Sequence, residues 1–211
     1  MKITITSISA LAGGAEVSLT VRISDGERFE TKTLVLLARQ YAELRPAKED
    51  IDCEKFELLL SEAEICSAVK RGMNILGYGA CSEKNMALKL RSKGFSKDTA
   101  ARAAEYLRQL GYINEVEDAA REAERCLKKG WGRRRIASAL FEKGYSHEAA
   151  EKVLSALDEV DFSDICAQLV LKKFRGIPED ISERRKLTAS LVRYGYTSGE
   201  IKNAFKRLSN D

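Results

Sequence analysis

Three stretches of the chain repeat one another, and this constrains the fold more than any other feature. Met86, Leu90, Gly94, Phe95, Ser96, Ala103, Ala104 and Leu107 are matched 50 positions later by Ile136, Leu140, Gly144, Tyr145, Ser146, Val153, Leu154 and Leu157. Leu187, Leu191, Gly195, Tyr196, Thr197, Ala204, Phe205 and Leu208 match again after 51 more. A constant offset of this size with helical spacing signals an array of helical units.

Each unit has a physical reading. Apolar residues four apart, such as Ile136 and Leu140, mark one face of a helix. Gly94, Gly144 and Gly195 fall where that helix must stop, because glycine takes the left-handed closing conformation without strain. The aromatic that follows can fold back onto the apolar face. Ser96, Ser146 or Thr197 then offers a hydroxyl to the free amides of a new helix, and Glu200 completes a capping box in the third copy. Another helical stretch precedes each pair, over 64–76, 118–129 and 164–174. The pattern predicts three tandem three-helix repeats, at 63–115, 116–160 and 161–211. Each buries its apolar face against itself and its neighbour, which implies an elongated array.

Residues 1–62 read differently. Ile3 and Ile5, then Val17, Leu19, Val21 and Ile23, then Phe29, Thr31 and Thr33 alternate with polar residues, the period of half-buried strands. Gly13-Gly14 and the hairpin signal Asp25-Gly26 separate them. A three-stranded antiparallel meander needs a cover, and Leu34 to Leu44 and a helix over 54–60 are available. The expected fold is therefore mainly α, with a small N-terminal α+β module. Its boundary falls near Ser61-Glu62-Ala63-Glu64, a capping-box pattern.

Composition excludes several function classes. No apolar run approaches the roughly 18–20 residues that span a bilayer. The N-terminus has no signal-peptide pattern, so a cytoplasmic location is expected. The five cysteines form no CxxC pair, and with one histidine neither a metal site nor a catalytic Cys-His pair is expected. No phosphate loop is present, and Gly77-Tyr78-Gly79 lacks the third glycine of a dinucleotide fingerprint. A chain that is not an enzyme and holds no cofactor follows.

The charge is uneven. Residues 1–65 carry 8 Lys and Arg against 12 Asp and Glu, whereas 66–211 carry 28 against 20. The basic array suits an anionic partner, nucleic acid or acidic protein. Arg133, Arg134 and Arg135 occupy the same repeat position as Arg184, Arg185 and Lys186, at the start of each unit's middle helix. Cations there oppose the helix dipole by a few tenths to about 1 kcal/mol each, which argues for a compensating use. Lys128, Lys129, Lys143, Lys172 and Lys173 extend the candidate binding face. Trp131, between two glycines, can stack on a base or anchor a protein interface; a turn residue capping the repeat core is the plainer assignment.

KLRSKGFS at 89–96, LRQLGYINE at 107–115 and KKGWGRRRIASALFEKGYS at 128–146 resemble the RecX family, regulators of the RecA recombinase. The likeness runs from Ile65 to Leu208. The family's G-x-G-P-x-R-I pattern falls on Gly130, Gly132, Arg133, Arg135 and Ile136, with arginine in place of proline at 133. Ala139 stands where the family has an acidic residue, and Asp118 where it has an aromatic. The resemblance implies a monomeric, non-catalytic regulator lying in the helical groove of the RecA filament on single-stranded DNA. It would inhibit filament growth, ATP hydrolysis and strand exchange. A direct nucleic-acid-binding repeat protein acting without RecA is the alternative, and single- or double-stranded DNA is its partner.

Overall fold

The computed structural model describes residues 2–26 and 28–210. Two compact units are present, one formed by Met1–Gly79 and Met86–Tyr112 and the other by Ala80–Asn85 and Ile113–Asp211.

The first unit starts with the strands β1 (Lys2–Leu11), β2 (Glu16–Asp25) and β3 (Arg28–Leu37), followed by helix α1 (Ala38–Leu44), a short strand β4 (Asp50–Ile51) and helix α2 (Cys53–Leu76). The sheet is antiparallel with order β3-β2-β1-β4. The expected three-stranded meander thus gains a fourth strand, which pairs with Ile3 and Thr4. A register shift between Ile5 and Ser7 sets Ile3, Ile5 and Ile8 opposite Ile23, Val21 and Leu19. The inserted residue reverses the alternation, so all three isoleucines reach one core with Phe56 and Leu59 of α2.

Two expectations for β3 are corrected. Leu34–Leu37 complete the strand, and only Ala38–Leu44 is helical. The buried positions are Leu34 and Leu36, paired with Leu19 and Val17, whereas Phe29, Thr31 and Thr33 are exposed. With a period of two, burying 34 and 36 turns the odd positions outward. Phe29 there carries the Arg22 guanidinium 4.2 Å above its ring. Asp25 pairs with Arg28 around Gly26; the other loop residue, Glu27, lies outside the described residues.

The expected helix start near Ser61 is also corrected, because α2 runs unbroken for 24 residues. Glu62 does not cap anything. Its carboxylate is buried, accepts from Gln40 Nε2 at 2.6 Å and pairs with Arg102. Helices α3 (Glu83–Ser92) and α4 (Lys97–Gln109) follow. Leu107 of α4 packs so closely on Gly72 that a Cβ at Gly72 would lie 2.5 Å from its Cδ1.

The second unit contains α5 (Glu115–Lys128), α6 (Arg133–Glu142), α7 (His147–Ala156), α8 (Phe162–Leu169), α9 (Ile181–Arg193) and α10 (Ser198–Asn210). One core joins them, with Cys126, Ile136, Leu140, Phe162, Cys166, Leu191, Tyr196 and Ala204 among its members. A wide five-residue turn, Val170–Phe174, continues α8.

The helix-glycine-helix unit recurs as the repeats require. Gly94, Gly144 and Gly195 all have positive φ. The next amide in each copy donates to the carbonyl five residues back: Phe95 to Leu90, Tyr145 to Leu140 and Tyr196 to Leu191. Ser96 and Ser146 accept from the amides of Thr99 and Ala149. Thr197 and Glu200 exchange the two bonds of a capping box. The chain is a mainly α helical-repeat protein with a small β-containing N-terminal part. Among the described residues no helix is long and apolar enough to cross a membrane.

Candidate cationic interface

Gly130 closes α5 in the left-handed conformation, and Gly132 opens α6 two residues later. The Gly132 amide donates to the Tyr194 carbonyl at 2.7 Å and the Arg134 amide to the Gly195 carbonyl at 3.2 Å. The Tyr196 hydroxyl donates to the Gly130 carbonyl at 2.8 Å. The amide end of α6 therefore meets the carbonyl end of α9, and each satisfies groups the other leaves open. This answers the objection to cations at the start of α6, because the partial negative charge of α9 lies beside them. An analogous junction uses side chains at the start of α3, where Ser82 Oγ and Asn85 Nδ2 donate to the Lys143 carbonyl at 2.8 and 2.7 Å.

Side chains build on this backbone junction. The Arg135 guanidinium lies 4.0 Å from the Trp131 ring centre and 5.3 Å from that of Tyr194. Lys129 Nζ stands 5.2 Å from the Trp131 ring. Lys173 Nζ stands 4.7 Å from the Tyr194 ring and donates to its hydroxyl. Lys129, Trp131, Arg135, Tyr194 and Lys173 thus alternate cation and ring, each contact contributing about 0.5–1 kcal/mol at an exposed site. Trp131 is half-buried against the core, as a turn residue capping the repeat would be.

Beside this ladder, α5 and α8 enclose a groove of about 420 Å³. Leu127, Ile165 and Leu169 supply its apolar surface, and Lys128, Lys129, Lys172 and Lys173 flank it. Lys128 and Lys172 are exposed and have no side-chain partner among the described residues.

The other sequence-selected cations have separate environments. Arg133 pairs with Asp158. Lys143 Nζ lies 2.7 Å from the buried carboxylate of Glu122, which Arg125 also reaches at 3.0 Å. Arg134 is exposed with no side-chain partner among the described residues. Arg184 donates to the Pro178 carbonyl at 3.2 Å, and Arg185 and Lys186 are exposed. This second triplet is not brought to the ladder: it starts α9, about 15 Å of helix from Tyr194 at 1.5 Å per residue. Tyr194 itself was missed from sequence. Its signal was an aromatic where the other copies carry Lys93 and Lys143.

The buried Cys66 and Cys166 thiols and the Tyr145 hydroxyl stay in their neutral forms. Burial pushes the Cys66 thiol up to about 11 and Cys166 up to about 12, so neither presents a thiolate at neutral pH. Burial, then the nearby Asp118 and Glu122 carboxylates, push the Tyr145 hydroxyl up to about 12. Asp118 occupies a buried position by pairing with Arg121. Among the described residues no three His, Cys, Asp or Glu side chains gather as a metal site.

No protein-family profile matches the chain. Over 168 residues it is 29% identical to the regulatory protein RecX of Clostridium perfringens strain 13, covering 76% of this chain and 77% of that one. It is 28% identical over 151 residues to the regulatory protein RecX of Chlorobium phaeobacteroides, covering 71% and 98%. A crystal structure of a regulatory protein RecX superposes with a TM-score of 0.74 at 15% identity, covering 99% of this chain and 100% of that one. The crystal structure of RecX from Lactobacillus salivarius gives 0.59 at 20% identity, covering 70% and 98%. This likeness extends over most of the chain, which is similar in sequence to regulatory proteins named RecX and shares the fold of the solved RecX structures.

Proposed function

We propose that the protein is a non-catalytic cytoplasmic regulator of the RecA recombinase. It binds as a monomer in the helical groove of the RecA filament on single-stranded DNA and inhibits filament growth, ATP hydrolysis and strand exchange. The repeats at 63–115, 116–160 and 161–211 act as successive contact modules on neighbouring RecA subunits, where linkage of weak contacts raises the effective concentration of each. The observation that carries the reading is the cation–aromatic ladder at the α6/α9 junction. It holds basic side chains in a fixed array on a chain whose relatives are named regulatory proteins.

The test is a titration of cognate RecA's DNA-dependent ATP hydrolysis with substoichiometric protein. The rate should fall. Charge reversal of Arg133, Arg134 and Arg135 should weaken the effect while the circular dichroism spectrum is retained. An unchanged rate over a wide concentration range refutes the reading. Tight binding to DNA alone, with a steep log–log salt slope, would favour the nucleic-acid alternative.

A further inference from the structure

We propose that the groove between α5 and α8 is a docking site for an acidic protein segment bearing aliphatic side chains. It names the partner chemistry of the basic face and rests on the reading of that face as protein-binding.

Three observations converge. First, the groove is two-sided in chemistry, with an aliphatic floor of Leu127, Ile165 and Leu169 and four flanking lysines. No acidic residue lines it. A ligand matching both features carries carboxylates and branched apolar groups together, and a volume near 420 Å³ lies in the range of specific ligand sites. Second, the lysines are unequally engaged. Lys129 and Lys173 are steered by Trp131 and Tyr194, whereas Lys128 and Lys172 have no partner among the described residues. Two cations are thus held in place at low entropic cost, and two are free to close on a ligand. Third, the wide turn at Val170–Phe174 that ends α8 carries both Lys172 and Lys173 to the edge of the groove.

Charge alone would also admit nucleic acid, but the aromatic surfaces argue against it. Base stacking needs open ring faces, and here Trp131 and Tyr194 are engaged by Arg135, Lys129 and Lys173. The groove floor is aliphatic and has no ring on which a base could lie.

The probe is an amphipathic glutamate–leucine peptide of about 15 residues, long enough for several turns of helix. Binding is followed at physiological salt by the fluorescence of Trp131, the sole tryptophan, and by anisotropy of a labelled peptide. The leucine-containing peptide should bind at least about tenfold more tightly than an oligoglutamate of equal charge. The Lys128→Glu/Lys172→Glu double variant should lose about tenfold or more of that affinity. Both lysines are exposed, so the variant should fold, and circular dichroism verifies this. Absence of peptide binding, equal binding of oligoglutamate, undiminished binding to the variant, or displacement of the peptide by a tighter-binding oligothymidylate each overturns the proposal. No recombinase is present in this assay. Peptide binding without any effect on RecA's ATP hydrolysis would sink the function above and leave the groove, and the converse would sink the groove alone.

Discussion

Replacing Gly195 by alanine tests whether contact between consecutive repeats, rather than the helix-ending turn itself, holds repeats 2 and 3 together. Gly94 supplies the internal control. Both glycines have nearly the same positive φ, +98 at Gly94 and +95 at Gly195, so both alanines pay about 1–2 kcal/mol for left-handed backbone. Their surroundings differ. A Cβ at Gly94 meets nothing within 4 Å, but at Gly195 it would lie 2.4 Å from the Arg135 nitrogen and 2.8 Å from the Gly132 oxygen. These are main-chain atoms and cannot rotate aside. Helix α6 must then withdraw from α9, and the Gly132-to-Tyr194 and Arg134-to-Gly195 hydrogen bonds are lost at about 1 kcal/mol each. The total for Gly195→Ala is about 3–4 kcal/mol, against about 1–2 for Gly94→Ala. At roughly 2–4 °C per kcal/mol for a chain of this size, the melting temperature should fall by about 6–16 °C in one case and about 2–8 °C in the other. Gly144→Ala should fall between them, since its Cβ would meet the Ser82 hydroxyl at 3.2 Å. Thermal unfolding followed by circular dichroism is the assay. Equal losses at Gly94 and Gly195 would show that the repeats do not depend on this junction.

Three further outcomes are expected. Glu115 accepts the amides of Glu83 and Ser146 at 3.0 Å each, so Glu115→Ala should cost about 1–3 kcal/mol by removing the acceptor of these two helix-start amides; a change within about 0.5 kcal/mol in chemical denaturation contradicts that role. Lys143→Met removes a partner of the buried Glu122 carboxylate and should destabilise by about 1–3 kcal/mol. The same change at unpartnered Lys128 should stay within about 0.5 kcal/mol, and equal effects would show that the Lys143–Glu122 pair does not stabilise the fold. Tyr145 has a folded pKa raised from 10.0 to about 12. The unfolded chain therefore releases its proton first, so this contribution is fully present below pH 10 and is lost as pH rises toward 12. Tyrosinate absorbance of the Tyr145→Phe variant, compared with the parent, should show one fewer late-titrating group.

The repeats were legible because their signals are local. A helix stop at Gly144, a cap at Ser146 and an apolar pair at Ile136 and Leu140 all act within a few residues, so the sequence alone determined three helix-glycine-helix units and their order. Strand alternation was legible as well, but not which face of β3 is buried. That depended on pairing Leu34 and Leu36 with Leu19 and Val17, together with a one-residue insertion in β1 that no local pattern announced. The capping-box pattern at Ser61 misled for the same reason, since Glu62 finds its partners in Gln40 and Arg102, far away in sequence. The basic face shows the division most sharply. Sequence picked out the cations, and tertiary structure sorted them: Arg133 to Asp158, Lys143 to Glu122, Arg135 between Trp131 and Tyr194. A side chain's charge is fixed by its own chemistry, but its availability depends on neighbours the fold brings from tens of residues away.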